Sequence, residues 1–444
     1  MQNRIESLPV RLQLLIPAAC AVLLLPASTL AQPGRFDERI ARAITGCETS
    51  IIEIRHQIHA NPELGNREFE TAALVAGHLT ALGLEVKTGV AHTGVVGLLR
   101  GGRPGPVVAV RADMDALPVT EETDLPFRST KRTTYNDMEV GVMHACGHDI
   151  HTSVLMGVAT VLTDLKEELA GSVLFIFQPA EEGSPAGESG GASLMLEEGL
   201  FEGIEPVAVF ALHIDPQVPA GDIVYSSGPA LAASDGFSIT VTGKQTHAAR
   251  PHTGIDPIVM ASQLVLALQT ITSRTLDPLD SCVVTVGMFH GGERSNIIPE
   301  NVRLTGTVRS YSDAVRDTVE QRMTEIVDGI TAAGGGTGQL RYSRGLPPTI
   351  NDPDLVRSMI PTLQTALGVE HVIEGPPWMA SEDFSYYARL VPGFIFFLGT
   401  LKEGTISGDL HNPAMRADDS AVPIGIRALS NLVIDRLMLE DGKR

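Results

Sequence analysis

"PVVAVRADMD", residues 106–115, combines a short apolar run with the charged segment that follows it. Similar apolar runs occur at residues 95–99, 172–177, 207–212 and 394–398. Continuous apolar runs of this length, separated by helical patterns such as residues 151–168, are typical of strands that are buried on both faces of a sheet. The sequence therefore predicts an α/β fold with a mostly parallel sheet.

The composition limits the partners that such a fold can have. The chain has 444 residues, of which 43% are hydrophobic, and a chain of this length is expected to form two or three domains. Its 33 lysines and arginines against 53 aspartates and glutamates give a net charge of −20, which repels nucleic acid and anionic membranes. We expect a small-molecule or peptide partner, no nucleic acid and no stable membrane anchor.

A different pattern occupies residues 230–343. Predicted strands and helices alternate there in the order β-α-β-β-α-β, which can fold as a sheet backed by two helices. Because the main α/β pattern resumes afterwards, we interpret this stretch as an inserted domain that serves as a lid or a dimerisation element.

The N-terminus has the pattern of an export signal. An apolar stretch at residues 12–27 is followed by small residues that suit cleavage after Ala31. A membrane anchor is the alternative, but Pro17 and Pro26 interrupt the stretch, which is shorter than the ~20 residues of a spanning helix. We expect residues 1–31 to be a signal peptide and the mature protein to be periplasmic or secreted.

Three cysteines remain after such a cleavage, Cys47, Cys146 and Cys282. An odd number does not make a disulfide framework in an oxidising compartment. Cys146 lies in "MHACGHDIHT", residues 143–152, among three histidines. Metal ligation would explain this density and would protect the thiolate from oxidation.

Carboxylate and imidazole side chains follow several predicted strands, directly or after a short loop: Asp113 and Asp115, Glu181 and Glu182, His213, and His411. A single histidine at a strand end is more often structural, but several donors at one edge favour a metal site, because the ligand crevice of α/β sheets lies beyond the carboxyl ends of the strands. We predict as metal ligands Cys146, His148, Glu182, His213 and His411. Five ligands exceed the three of a typical single catalytic zinc and suit two neighbouring ions.

Glu181 and Glu182 are consecutive. In an extended chain consecutive side chains point to opposite sides, so we expect Glu182 to bind metal while Glu181 faces the substrate as a general base. The alternative is a pair of solvated acids at the start of a loop.

Ten motifs carry a family resemblance: "IHANPELGNREFET", "RADMDALPVTEET", "GVMHACGHDIHT", "QPAEEG", "ALHID", "HAARPHTGIDPI", "SNIIPE", "GTVRS", "SEDFSYY" and "LHNP". In this order, over residues 48–436, they resemble the hippurate hydrolase and auxin-conjugate amidohydrolase branch of the di-metal aminoacylase and carboxypeptidase family. The resemblance implies a di-metal hydrolase domain with a mixed, mostly parallel sheet and flanking helices. That domain would comprise residues 32–229 and 344–444, with residues 230–343 as a lid and dimerisation domain.

The resemblance implies hydrolysis of the amide bond of N-acyl amino acids by a metal-activated water, with Glu181 as general acid/base and the same five ligands. It further implies that His247 stabilises the oxyanion, from the neighbouring subunit of a homodimer or higher homo-oligomer. It also implies that Asn296 and Arg309 bind the substrate carboxylate. His247 as a turn residue and Arg309 as a surface residue are the alternatives.

The cofactors implied are two divalent ions per chain, zinc or manganese, with cobalt or nickel also compatible with these ligands. Asp113 and Asp115 are expected to orient the ligand histidines, although Asp113 would equally suit a cap of the turn after its strand. We interpret His144 and His151 as structural.

Two loops, residues 128–141 and 183–191, are longer than is usual in this family and are expected to border the acyl pocket, so the acyl group is not fixed by the resemblance. A metallo-carboxypeptidase or dipeptidase is the alternative within the same fold. An exported binding protein for metal or ligand, without turnover, is the alternative of another class.

Overall fold

The computed structural model describes residues 36–441. Within that range the helices are α1 (Asp37–Ala60), α2 (Phe69–Ala81), α3 (His148–Asp164), α4 (Gly191–Glu197), α5 (Pro257–Thr270), α6 (Asp313–Ala333), α7 (Pro353–Leu367), α8 (Ser385–Ala388) and α9 (Ala421–Asp441). The predicted signal peptide, residues 1–31, lies outside the described residues.

The strands of residues 36–441 fall into one large sheet, one sheet of four strands and three pairs. In chain order they are β1 (Glu85–Val90), β2 (Gly94–Arg100), β3 (Arg103–Asp113), β4 (Arg132–Tyr135), β5 (Met138–Gly141), β6 (Ala170–Gln178), β7 (Pro206–Pro219), β8 (Ile223–Tyr225), β9 (Gly228–Leu231), β10 (Ala233–Thr242), β11 (Thr246–His247), β12 (Cys282–Gly291), β13 (Ile297–Ile298), β14 (Asn301–Ser310), β15 (Thr337–Arg344), β16 (Thr349–Asn351), β17 (Val372–Glu374) and β18 (Gly393–Leu401).

The large sheet has the order β1-β2-β6-β3-β7-β18-β8-β17. Its centre is parallel, because β3 pairs in parallel with β6 and with β7, and β18 pairs in parallel with β7. The β1–β2, β2–β6 and β18–β8 pairings are antiparallel. The predicted mixed, mostly parallel α/β sheet is thereby confirmed.

The central strands are buried on both faces, as their continuous apolar runs require. Val108 and Val110 of β3 pack into the hydrophobic core that α1, α3, α7 and α9 contribute to. Ala109, between them, packs into a second core on the other face, with residues of α4 and α8. The sheet therefore has helices on both sides, and its strand ends are the places where polar side chains can gather.

The four-stranded sheet is antiparallel, in the order β12-β14-β10-β15. Helices α5 and α6 pack on it around a core that includes Ile239, Leu264 and Val319. The side chains of Asp256 and Ser312 cap the two helices by accepting hydrogen bonds from backbone N–H groups of the first turn. The elements follow the order that the sequence pattern predicts, while the domain boundaries themselves stay a prediction.

Small pairs complete the fold. β4 and β5 form an exposed hairpin, β11 pairs with β13, and β9 pairs with β16. Among the helices of residues 36–441, none has the length and apolar character needed to cross a membrane.

Candidate metal centre

The predicted ligands lie at one edge of the large sheet, where the parallel strands end. Cys146 and His148 stand at the start of α3, Glu182 follows β6, His213 lies in β7, and His411 lies in the loop after β18. Donor atoms lie within 4.8 Å of one another in three overlapping groups: Cys146, His148 and His213; Cys146, Glu182 and His411; and His148, Glu181 and Glu182. The structure thus brings all five predicted ligands and Glu181 into one cluster.

Gly147 allows Cys146 and His148 to meet the cluster together. It has φ +81°, and a Cβ at this position would lie 2.3 Å from Cδ1 of Ile214. Only glycine suits both the left-handed backbone and this contact. The chain therefore turns sharply between the two ligand candidates, and His148 begins α3.

The expectation that Glu181 and Glu182 point to opposite sides is wrong in its premise. Ala180 has φ +51°, and the two glutamates lie in a turn, not in extended chain. The turn is held by two carboxylates, because Glu68 accepts from the Ala180 N–H (2.9 Å) and Asp115 accepts from the Glu182 N–H (2.9 Å). Both glutamates consequently present oxygens to His148.

Asp115 and Asp113 contact the histidines of α3. Oδ1 of Asp115 lies 3.2 Å from Nδ1 of His148, and Oδ1 of Asp113 lies 2.6 Å from Nδ1 of His151. Nε2 of His151 accepts a hydrogen bond from the Ile214 N–H at 2.9 Å. His151 therefore has both ring nitrogens engaged by the protein, which is a structural arrangement, whereas the Nε2 of His148 is left to face the cluster.

The donor set fits divalent ions. Nε2 of His148 and Oε1 of Glu182 are buried without a hydrogen-bond partner. Nε2 of His411 lies 2.9 Å from that glutamate oxygen without hydrogen-bond geometry, and Sγ of Cys146 lies 3.4 Å from Nε2 of His213. A histidine that binds an ion usually has its other nitrogen on a carboxylate, as His148 has on Asp115.

The electrostatics of the cluster also favour the binding of cations. Burial and the nearby Glu182 and Glu181 carboxylates raise the pKa of the Cys146 thiol well above its ordinary value, so a thiolate there needs a positive partner. Burial lowers the pKa of His213 to about 4, which keeps that ring neutral and able to ligate. Against the effect of burial, Asp113 and Asp115 raise the pKa of His148 to about 10, and an ion would replace the proton there.

Glu181 lies among acidic groups from a distant part of the chain. Its carboxylate oxygen is within 4.8 Å of those of Glu382 and Asp383. Desolvation and the charge of Glu382 raise the pKa of Glu181 well above its ordinary value, and the guanidinium of Arg111 opposes them. Arg111 is fully buried and donates to Glu382 and Asp383, at 2.9 Å each.

Sequence reasoning assigned no role to Arg111, Glu382 or Asp383. Arg111 directly follows a predicted buried strand, and the two acids stand in the "SEDFSYY" motif. The position of Arg111 could have indicated a buried ion pair, since a charged residue next to a buried strand needs buried partners.

A cavity of about 500 Å³ opens over the cluster. Cys146, Glu181, Glu182, His213 and His411 line it, together with residues from the four-stranded sheet and from the segment before α8: Ser234, Arg309, Trp378 and Glu382. Arg309 thus reaches the same cavity as the predicted ligands.

His247 and Asn296 lie elsewhere in this chain. Both are exposed, beside each other at the β11–β13 pair, where the Ala248 N–H donates to the carbonyl of Asn296 at 3.0 Å. Neither is among the residues that line the cavity over the cluster. Their roles stay predictions that require a second subunit.

Comparisons with known proteins identify the family of the chain. Residues 109–435 match the model of peptidase family M20/M25/M40. The chain is 39% identical over 375 residues to N-acetyl-L-cysteine deacetylase of Bacillus subtilis, an alignment that covers 84% of this chain and 85% of that protein. It is 38% identical over 401 residues to thermostable carboxypeptidase 2 of Saccharolobus solfataricus, covering 89% of this chain and 98% of that protein.

Two further similarities concern the amidohydrolase branch and the metals. The chain is 37% identical over 397 residues to IAA-amino acid hydrolase ILR1-like 2 of Arabidopsis thaliana, covering 88% of this chain and 86% of that protein. The crystal structure of the Bacillus subtilis YXEP protein, described as a dinuclear metal-binding peptidase of the M20 family, superposes with a TM-score of 0.75 at 32% identity, covering 89% of this chain and 99% of that one. The predicted resemblance is confirmed.

The prediction of export is corrected. The apolar stretch on which it depended lies outside the described residues, and none of the relatives above carries a name that indicates an exported protein. The physical reason for the error is that apolar and small residues near an N-terminus are a compositional pattern, which does not by itself establish an export signal. The prediction of a periplasmic or secreted protein is therefore wrong as it stood.

The fold, the clustered donor atoms and the relatives point to the same chemistry. The chain belongs to peptidase family M20/M25/M40 and is a metal-dependent amidohydrolase or peptidase of the dinuclear metal-binding type.

Proposed function

We propose that this protein hydrolyses the amide bond of N-acyl amino acids. The observation that carries the proposal is the cavity over the cluster, which is lined at once by metal-ligand candidates, by Glu181 and by the cation of Arg309. An N-acyl amino acid offers a matching set of groups, an amide to cleave and a carboxylate to bind.

Cys146, His148, Glu182, His213 and His411 would hold two divalent ions. When bound, such ions activate water and polarise an amide carbonyl. Glu181 would accept the proton of the attacking water and deliver it to the leaving nitrogen.

Residues of the four-stranded sheet and of the adjoining β11–β13 pair would orient the substrate. Arg309 would bind the carboxylate of the amino-acid part from within the cavity. His247 would donate to the developing oxyanion and Asn296 would bind substrate, both from a second subunit, because in one chain they lie away from the cavity. A homodimer is accordingly part of the proposal.

The second candidate function is a metallo-carboxypeptidase or dipeptidase. It is favoured by the similarity to thermostable carboxypeptidase 2 and would use the same ligands and the same acid/base. A binding protein without turnover is set aside, because the family to which the chain belongs consists of hydrolases.

The test is a substrate panel assayed on protein stripped of metal and resupplied with zinc, manganese, cobalt or nickel. N-acyl amino acids and dipeptides that release the same amino acid are compared, and bound metal is counted by elemental analysis. We expect two ions per chain and the higher kcat/KM on N-acyl amino acids. Faster release from dipeptides would replace the proposal by the peptidase alternative, and one ion per chain would contradict the ligand assignment.

A further inference from the structure

Glu382 is a buried carboxylate to which the proposed mechanism gives no role. It is 2% exposed, and it lines the cavity over the metal cluster together with Glu181 and Arg309. A buried carboxylate needs hydrogen-bond donors for its oxygens, because burial removes the water that would otherwise supply them. The donors that the protein provides therefore show which oxygen is left for a ligand.

One oxygen of Glu382 takes up the protein donors. Oε1 accepts from Nη2 of Arg111 and from the N–H of Phe384, at 2.9 Å each. These two bonds fix the orientation of the carboxylate within the cavity wall. For Oε2, residues 36–441 provide no hydrogen-bond donor in the structure, so a ligand in the cavity can donate to it.

Asp383, the next residue, is held in a different way. Its two oxygens accept from Nε2 of Gln178 at 2.8 Å each, and the Ala192 N–H donates to Oδ2 at 2.8 Å. Asp383 is not among the residues that line the cavity. Of the two acids that pair with Arg111 in this segment, Glu382 is therefore the one that faces the reaction site.

The position of Glu382 relative to Glu181 suits a nitrogen atom between them. Carboxylate oxygens of the two residues lie within 4.8 Å of each other. Two oxygens that accept from one tetrahedral nitrogen, at about 2.9 Å each, are about 4.7 Å apart. The nitrogen to which Glu181 delivers a proton can therefore also donate to Glu382.

The leaving nitrogen has a hydrogen atom for this contact. The amide nitrogen of an N-acyl amino acid carries one N–H, and it gains a second from Glu181 as the C–N bond breaks. The original N–H remains free to donate to a second acceptor. Arg309 lines the same cavity, so the cavity offers an acceptor for the amine of the released amino acid and a cation for its carboxylate.

We propose that Glu382 is a further catalytic residue, which accepts a hydrogen bond from the leaving nitrogen. It accepts from the amide N–H of the substrate, retains this bond while the C–N bond breaks, and then holds the amine of the released amino acid. Glu382 itself neither gains nor loses a proton. The inference rests on the proposed function for the cleavage of an amide beside Glu181, and it applies equally to an N-acyl amino acid and to a dipeptide.

Glu382→Gln is the variant that tests this contact. The amide oxygen of glutamine can still accept from Arg111 and Phe384, and its NH₂ group then replaces Oε2 by a donor. The substrates are N-acetyl- and N-benzoyl-L-alanine, each compared with the ester of L-lactate that carries the same acyl group. The ester has an oxygen in place of the N–H, so it cannot donate to Glu382.

We expect Glu382→Gln to lower kcat/KM for the amides by about tenfold or more, since a hydrogen bond to a charged group contributes about that much. The same variant should change kcat/KM for the esters far less. Glu374→Gln, the same substitution at an exposed position, is the matched control and should leave both unchanged. Equal losses on amides and esters would show a structural role and would overturn the inference.

A measurement on the wild type keeps the inference testable if Glu382→Gln does not fold. L-Alanine carries the amine that Glu382 would hold, whereas propionate carries only the carboxylate. We expect the inhibition constant of alanine to be at least about tenfold lower, and equal constants would overturn the inference.

The outcomes separate this inference from the proposed function. Faster hydrolysis of dipeptides than of N-acylalanines, with the same loss in Glu382→Gln on amides alone, would replace the proposed function and support the role of Glu382. Failure of the metal-loaded wild type to hydrolyse any of the amides, including dipeptides, would overturn both.

Discussion

The carboxylate of Glu181 is made basic by groups that the rest of the fold brings to it. Glu382 and Asp383 come from the segment before α8, and Glu182 is its neighbour in the turn. A carboxylate whose charged form is disfavoured takes up a proton more readily, which suits a group that must accept a proton and then release it to a leaving nitrogen. The guanidinium of Arg111 donates hydrogen bonds to Glu382 and Asp383 and so offsets part of this buried negative charge.

Glu181→Gln should abolish most of the activity while leaving the ions in place. Glutamine has a similar shape but cannot accept and return a proton, so kcat should fall by about 10²-fold or more. Kinetic assays measure kcat, and elemental analysis of the same preparation counts the bound ions. Glu403→Gln, at an exposed position, is the control. Two ions and near-normal turnover in Glu181→Gln would show that another group moves the proton.

Gly65→Ala should destabilise the turn that carries the two glutamates. A Cβ on Gly65 would lie 2.5 Å from the carbonyl oxygen of Gly183 and 3.1 Å from Cβ of Ala180. Because these contacts are with backbone and a short side chain, the turn must shift, at a cost of about 1–3 kcal/mol in the free energy of unfolding.

Urea denaturation measures that cost, and metal counting reports on the turn itself. Gly46→Ala is the matched control, because its Cβ would meet nothing within 4 Å and it lies inside α1, where alanine is favoured. Equal stabilities of the two variants would show that the turn accommodates the added methyl group.

At the scale of elements, α1 and α3 are joined by a buried charged cluster. Asp149 of α3 accepts from Nε of Arg55 and contacts Nδ1 of His59, at 3.0 Å each, and Glu121 lies 3.3 Å from Nε2 of His59. His144, two residues before Cys146, is a further titratable ring near His59, and burial lowers its pKa to about 3. The cluster fixes α1 against the helix that presents His148.

His59 should make stability depend on pH. Burial lowers the pKa of His59, but Asp149 and Glu121 outweigh it and raise the pKa from 6.5 to about 9. The protonated ring therefore stabilises the fold fully below pH 6.5, and the contribution disappears as the pH rises to about 9. Its size is up to about 3 kcal/mol.

The measurement is the free energy of unfolding of the wild type and of His59→Gln between pH 6 and pH 9. The difference between the two proteins should be largest at pH 6 and should shrink as the pH rises. His252→Gln serves as the control, because that histidine is exposed at the surface. A difference for His59→Gln that stays constant across this range would contradict the assignment of a charged ring.

At the scale of the whole molecule, the ions would connect segments that are distant in sequence. The ligand candidates come from the start of α3, the turn after β6, strand β7 and the loop after β18. Without ions, buried donor atoms such as Nε2 of His148 lack partners. Metal that binds the folded chain and not the unfolded chain stabilises the folded state by mass action.

Removal of metal should accordingly lower the melting temperature, by about 5 °C or more, and resupply should restore it. Differential scanning calorimetry with and without a chelator measures the shift. His411→Ala, which removes a half-exposed ligand candidate, should show a smaller chelator-induced change in melting temperature than the wild type. A melting temperature that does not respond to the chelator would contradict a metal centre that spans these segments.

The sequence by itself determined the type of fold and indicated which candidate donors would gather at one edge of the sheet. Buried strands need continuous apolar runs, and these runs are local properties of the chain. Parallel strands end at a common edge, so donors that follow such runs gather there, as Glu182 and His213 do, each within 4.8 Å of Cys146. The family motifs carried the same information, since they consist of the donors and of the residues around them.

Only the tertiary structure decided how the site is arranged. Ala180 has φ +51°, and the glutamates that follow it lie in a turn with an oxygen of each near His148; no apolar pattern encodes a single backbone angle. Glu382 reaches Glu181 from a segment about two hundred residues away, and the two long loops meet around one cavity beside Glu182. These features depend on packing between distant segments, which composition, spacing and periodicity along the chain do not specify.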